Sequence, residues 1–183
     1  NQVKIGSLKG NILSGNTNSG IYIFNSSNHL ITKNIIGLDS SGSFAKPNFE
    51  GVFITGNSLN NRVGVDTTNY NVISGNTEYG VNLEDGNNTI VAGNRIGTNK
   101  EGNLAVGNSR GGINCKDAVN SIIGGARLER NIISGNAIGV NKGGIFLNGT
   151  GSSVISANYI GTDITGLLAI ANQKGIKTNP GHN

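Results

Sequence analysis

The hexapeptides Asn11-Ile-Leu-Ser-Gly-Asn16, Asn71-Val-Ile-Ser-Gly-Asn76 and Asn131-Ile-Ile-Ser-Gly-Asn136 stand 60 residues apart and are one unit written three times. A fixed period of this length means that one supersecondary unit is stacked on copies of itself, so the chain reads as a solenoid before anything else. Function then has to be sought on a repetitive surface.

Three shorter patterns alternate within the 60-residue unit. The first is an aliphatic residue at Val3, Leu30, Val63, Ile90, Ile122 and Val154. The second is Asn-x-Ile/Leu-Ser/Gly starting at Asn11, Asn34, Asn71, Asn94, Asn131 and Asn158. The third is Gly followed by alternating aliphatics at Gly20, Gly51, Gly80, Gly112, Gly144 and Gly175. Strict alternation, six times over, is what a helical coil with three strands per turn requires. The expected fold is all-β, a parallel β-helix of about six coils with three short strands each. It forms one domain over 1–183, made of double-coil repeats 1–60, 61–120 and 121–183.

Alternation decides which side chains enter the core. In the third strand, Ile21/Ile23, Val52/Ile54, Val81/Leu83, Ile113/Cys115 and Ile145/Leu147 are expected inside, with Thr178 breaking the pattern, so Cys115 reads as a core filler. In the second strand the asparagines share a side with Leu13, Ile36, Ile73, Ile96, Ile133 and Ile160, and stacked at about 4.8 Å they can form an amide ladder. Even coils carry inserts, at 37–50, 97–111 and 161–174, with one grammar. It runs Asp39/Asn99/Asp163, a glycine, Phe44/Leu104/Leu168, an alanine, then Asn48/Asn108/Asn172. The Asp or Asn caps its own turn, and the apolar residue with alanine is expected to tuck the insert against the coil.

Thirty glycines, two prolines and 35% apolar residues suit a long thin core with many tight turns. No apolar run reaches the length of a membrane span and none reads as a signal peptide, so no membrane insertion is expected. The chain opens at Asn1, which points to processing or to an excerpt of a longer protein. One cysteine excludes an intramolecular disulfide framework, and two histidines offer little for a metal, so neither metal nor cofactor is expected. The net charge of +4 is spread over few charged residues without basic runs, which gives no footing for nucleic acid. A mildly basic face toward an acidic polysaccharide fits the same charge.

Asn71-Val-Ile-Ser-Gly-Asn76 followed by Gly80-Val-x-Leu83, Asn88-Thr-Ile-Val-x-Gly-Asn94-x-Ile-Gly-Thr98 and Asn120-Ser-Ile-Ile-Gly-Gly125 resemble the repeats of large bacterial and archaeal surface or secreted proteins with right-handed parallel β-helix repeats. The resemblance covers nearly the whole chain. It implies an extracellular or cell-surface setting with adhesive, scaffold or carbohydrate-associated roles, and it implies no catalytic residue. The wider β-helix class includes polysaccharide lyases and hydrolases, so the fold alone assigns no chemistry.

Chemistry on such a fold needs side chains placed side by side on adjacent coils. The expected outward columns are Lys4, Ile31, Gly64, Val91, Ile123 and Ile155 on the first strand; Ile12, Ile35, Val72, Arg95, Ile132 and Tyr159 on the second; and Tyr22, Phe53, Asn82, Asn114, Phe146 and Lys177 on the third. None holds a carboxylate, and all ten acids read as turn or loop residues. The best cluster is Glu84 and Asp85 with Lys116 and Asp117, one coil apart; solvated turn residues or caps is the competing reading. Aliphatic and aromatic outward columns make Tyr22, Phe53, Asn82, Asn114, Phe146, Ile12, Ile35, Val72, Ile132 and Tyr159 the candidate contact surface, to be covered by another chain or by flanking loops. A register slip of one would turn such a column inward instead. Sequons at Asn25, Asn87 and Asn148 are open to glycosylation, or are a by-product of repetition in an asparagine-rich chain. The next coil would start at 184, so both ends are expected to be open and covered by further coils or by identical chains. The expected function is a non-catalytic extracellular scaffold or head-to-tail filament subunit, a homo-oligomer joined end to end and laterally. The alternative is a carbohydrate-binding or polysaccharide-cleaving module.

Overall fold

The computed structural model describes residues 2–137, 142–149 and 151–179. Eighteen short strands form three parallel sheets of six, and successive strands of each sheet come from successive coils. The molecule is thus an all-β parallel solenoid with three strands per coil, and one 3-10 turn at Arg127–Glu129 interrupts it. The core is a single column in which Ile21, Val52, Val81, Ile113 and Ile145 stack from one coil to the next, with Ile23, Ile54, Leu83, Cys115 and Leu147 beside them. Cys115 is fully buried, and burial pushes its thiol up to about 12.

The second and third sheets keep the expected registers: Ile12, Ile35, Val72, Arg95, Ile132 and Tyr159 align outward, as do Tyr22, Phe53, Asn82, Asn114, Phe146 and Lys177. The first sheet does not. Its true column runs Lys4, Leu30, Arg62, Ile90, Ile122 and Val154, while Ile5, Ile31, Val63, Val91, Ile123 and Ile155 turn inward. Ile31, Val91, Ile123 and Ile155 therefore belong to the core and not to an outward face, and Gly64 lies beyond the strand. Leu30–Ile31, Ile90–Val91 and Ile122–Ile123 carry aliphatics at adjacent positions, so no alternation sets their phase and a slip of one exchanges the faces, whereas Lys4 beside Ile5 and Arg62 beside Val63 mark the outward side.

Each position of the hexapeptide has a structural task. Its first asparagines form the expected ladder: Nδ2 of Asn34 donates to Oδ1 of Asn71 at 3.1 Å, Asn71 to Asn94 at 2.9 Å and Asn94 to Asn131 at 3.1 Å, with Asn11 and Asn158 extending it. Each acceptor oxygen also takes the backbone N–H of the asparagine below. The last asparagines form a second ladder, unforeseen from the sequence: Asn16, Asn48, Asn76, Asn108, Asn136 and Asn172 are joined at 2.8–3.1 Å. Between the ladders, Ser14, Ser74 and Ser134 each donate to a carbonyl of the next coil's insert, Leu38, Thr98 and Thr162, at 2.6–2.7 Å. The glycine after each serine takes φ between 71° and 77°, a conformation that penalises a Cβ.

The 60-residue period thus has a cause: every second coil carries an excursion, and the coil below carries the serine that holds its mouth. The excursions 38–46, 98–106 and 162–170 each insert nine residues between an inward isoleucine's glycine and the second ladder. Each closes through a bridge, Leu38 to Ala45, Thr98 to Ala105 and Thr162 to Ala169. The excursions also bond to one another, Lys100 N–H to Gly42 O at 2.8 Å and Ile164 N–H to Gly102 O at 2.9 Å, and so build a fourth column along the solenoid. Oδ1 of Asp39, Asn99 and Asp163 accepts two backbone N–H groups of its own turn, as expected for caps. Phe44, Leu104 and Leu168 do not tuck inward: they stand exposed on the outer rim of the excursion column. Leu38 is the apolar residue that packs.

Candidate ligand-binding face

Outward orientation and exposure part company on two sheets. On the second sheet Val72 and Ile132 are buried although they face out, so they offer no contact surface. Val72 shares a groove of about 380 Å³ with Ile12, Ile35, Tyr70 and Lys100, and Arg95 caps the neighbouring turn by lying 4.1 Å over the Tyr70 ring and donating to its hydroxyl. Tyr159 is covered in the same way by Arg130, at 3.8 Å. Of this candidate column Ile12 alone is broadly exposed, with Ile35 and Tyr159 partly so.

The outer face of the third sheet is where repetition fails. Down the coils its residues change from aromatic (Tyr22, Phe24, Phe53) through acidic (Glu50, Glu78, Glu84) and amide (Asn82, Asn114) to basic (Arg110, Lys116, Lys142). Tyr22 and Phe24 stack at 6.1 Å, Tyr22 meets Phe53 at 5.4 Å, and the first two are 56% and 61% exposed. Beside this platform Glu50, at the end of the first insert, leaves the turn and lies against the sheet with only 7% of its surface open. Asn114 Nδ2 donates to Asn82 Oδ1 at 2.6 Å, and Asn82 Nδ2 donates to Glu50 Oε1 at 2.8 Å, a directed chain of three side chains across three coils. Burial, and then the charges of Glu84 and Glu78, push the Glu50 carboxyl above the ordinary glutamate range, against the pull of the Asn82 hydrogen bond.

Of the charged cluster expected in the turns, Glu84 and Lys116 are not turn residues. They end the strands Tyr79–Glu84 and Gly111–Lys116, stand opposite each other and face across 4.0 Å, a partly exposed ion pair worth little. Asp85 and Asp117 follow at φ 57° and 53°, exposed, in a column with Asn25, Gly56 and Gly149; their position is that of left-handed turn formers. Arg110 pairs with Glu78 and lies 5.3 Å over the Tyr79 ring. Phe146 is buried beneath the Lys142 ammonium, 3.6 Å away, and burial with the neighbouring Arg110 and Lys177 holds that lysine below its usual range. Asn25 is exposed on its turn, whereas Asn87 is half-buried and accepts the Val119 N–H at 2.8 Å; Thr150, which completes the third sequon at Asn148, lies outside the described residues.

Glu50 escapes a reading by repeats because it belongs to no repeat column: its equivalents are Ser19, Tyr79, Gly111, Gly143 and Lys174. That non-equivalence is the signal the sequence holds. A serine–histidine contact escapes it too, Ser26 Oγ to His29 Nε2 at 2.6 Å. His29 Nδ1 accepts the Val3 N–H at 3.1 Å, which leaves the ring proton on Nε2, so the imidazole donates to the serine and cannot take its proton. Among the described residues no three His, Cys, Asp or Glu side chains gather as metal ligands, and no helix is long and apolar enough to cross a membrane.

The fold and this face together define a parallel β-solenoid bearing one non-repetitive side. No protein-family model, no curated protein and no solved structure matches the chain.

Proposed function

We propose that this solenoid is a structural protein of the cell exterior, a surface scaffold or filament segment extended by stacking coil on coil. The observation that carries the reading is the polarity of the two asparagine ladders. Every rung donates upward from N–H and Nδ2 and accepts from below at Oδ1, so the first coil presents Oδ1 of Asn11 and Asn16 without a donor among the described residues. The last coil presents the backbone N–H groups of Asn158 and Asn172 without an acceptor there. The two end faces are complementary and unlike, and contact between unlike faces extends without closing. The same partner is asked for whether the next coil belongs to an identical chain or to the same one. Resemblance of the repeats to those of bacterial and archaeal surface proteins supports the extracellular placement. The exposed column of Phe44, Leu104 and Leu168 offers a lateral contact between rods.

Light scattering and negative-stain microscopy of the 183-residue chain over a range of concentrations test the reading. Mass should rise with concentration, and rods of one-coil width should lengthen. Asn16→Lys, which places a charge at the acceptor end, should stop growth and leave a folded monomer. A wild-type chain that stays monomeric throughout overturns head-to-tail assembly.

A further inference from the structure

We propose that the outer face of the third sheet over the first four coils binds a neutral polysaccharide, with sugar rings on the Tyr22–Phe24–Phe53 platform and hydroxyl groups on the Glu50–Asn82–Asn114 row. The inference does not rest on end-to-end assembly, and Tyr22 and Phe24 belong to the first coil, at the end where such assembly would add a neighbour.

Three features select the ligand. Tyr22 and Phe24, broadly exposed and near-parallel at 6.1 Å, with the half-buried Phe53 tilted against Tyr22 at 5.4 Å, offer an apolar surface, which suits a molecule that is apolar on its faces and polar at its edge. The row beside them is nearly closed to water, with Asn82 and Asn114 only 4% and 5% exposed, yet it is incompletely paired. Asn114 Oδ1 accepts no hydrogen bond among the described residues, and Glu50 Oε2 has only the Ser19 hydroxyl at 3.5 Å. These two acceptors keep capacity for a further donor, and a sugar hydroxyl supplies one. Charge decides the rest. Glu50, Glu78 and Glu84 flank the Glu50–Asn82 end of the row, where Arg110 and Lys116 pair with Glu78 and Glu84, while Lys142 and Lys177 lie over Phe146 beyond Asn114; over the acidic end a polyanion would be repelled where a neutral chain would not. Successive coils repeat the face at about 4.8 Å, so a chain molecule lying along the solenoid axis passes from the aromatic platform to the amide row without leaving the sheet.

Tyrosine emission provides the readout, because the chain has no tryptophan and Tyr22 is one of four tyrosines. The full chain is titrated with soluble β-glucan, xylan, mannan and, for comparison, polygalacturonate. At least one neutral polysaccharide should give a saturable change and polygalacturonate none. Phe24→Ala combined with Phe53→Ala, which keeps Tyr22 as reporter, should weaken binding tenfold or more, and Asn114→Leu should weaken it severalfold. Phe44→Ala with Leu104→Ala on the excursion column should bind like wild type. Melting curves confirm that each variant is folded, and the paired ring variant, being at the surface, keeps the test decisive should Asn114→Leu fail to fold. No response to any neutral polysaccharide, a response to polygalacturonate alone, or equal binding by the ring variant overturns the proposal.

Discussion

Asn94 shows what a single residue does in this molecule. Its Nδ2 donates to Asn131 Oδ1, Val63 O and Ala92 O, and its Oδ1 accepts both the N–H and the Nδ2 of Asn71. Leucine would fill the space and strand these buried partners, at about 1–3 kcal/mol for each unsatisfied group. Urea melts of Asn94→Leu should show a loss of about 3 kcal/mol or more. Asn103→Leu, on an exposed excursion, should stay within about 1 kcal/mol of wild type; equal shifts would refute the ladder's role. Glu50 carries the opposite sign. Its folded-state pKa is raised, so the native state holds its proton more tightly than the unfolded chain, and stability falls as pH rises past the ordinary glutamate value. Glu50→Gln keeps an oxygen for the Asn82 Nδ2 and removes the buried charge. It should melt higher than wild type at about pH 7 and alike at about pH 3; an unchanged melting temperature at the higher pH would show that Glu50 is not burdened by burial. Asp66, which its own turn holds down to about 2 by the Thr68 hydroxyl and by N–H groups, contributes stability that is lost only as pH falls toward that value.

At the scale of the element, the excursions are additions to a coil that is complete without them. Removing 98–106 joins Gly97 to Gly107 and leaves Ile96-Gly-Gly-Asn108, the length of the Ile-Ser-Gly-Asn of odd coils. The variant should fold with an unchanged β circular dichroism spectrum and a lowered melting temperature. The loss comes from the Ser74 hydroxyl's partner and from the bonds to Gly42 and Ile164. Ser74→Ala alone should cost about 1–2 kcal/mol, since its buried oxygen both donates to Thr98 O and accepts the Gly97 N–H at 2.9 Å. Failure of the deletion variant to fold would mean that the excursion column, and not the three sheets, holds the coils together.

For the whole molecule, each coil touches mainly its neighbours, so stability should be distributed along one dimension. Side chains of the inward column are fully buried from Ile31 through Ile145, whereas Ile5 and Leu13 at one end and Ile155 and Ile160 at the other are only partly covered. Hydrogen exchange should therefore be slowest for amides of the third to fifth coils and should quicken toward both ends. Uniform protection would show that the chain opens as one unit. Assembly through the ends would raise protection of the end coils selectively, and comparison of dilute and concentrated samples would reveal it.

The order of strands, the number of coils, the first ladder and the inward sets of the second and third sheets were all legible in the sequence, because a 60-residue period and strands with clear alternation leave one consistent stack. Three things were not. The phase of the first sheet depends on which of two adjacent aliphatics faces in, as at Leu30 and Ile31, and only the closed cross-section of the coil chooses. The second ladder hid behind unequal spacing, since an insert of nine residues precedes Asn48, Asn108 and Asn172 but not Asn16, Asn76 and Asn136. Glu50 joined the row of Asn82 and Asn114 because the end of one insert delivers it beside Asn82, 32 residues on. Sequence by itself determined what repeats, since repetition is a local pattern. Tertiary structure alone decided which exceptions meet, since residues a full coil apart become neighbours only when the strands pair.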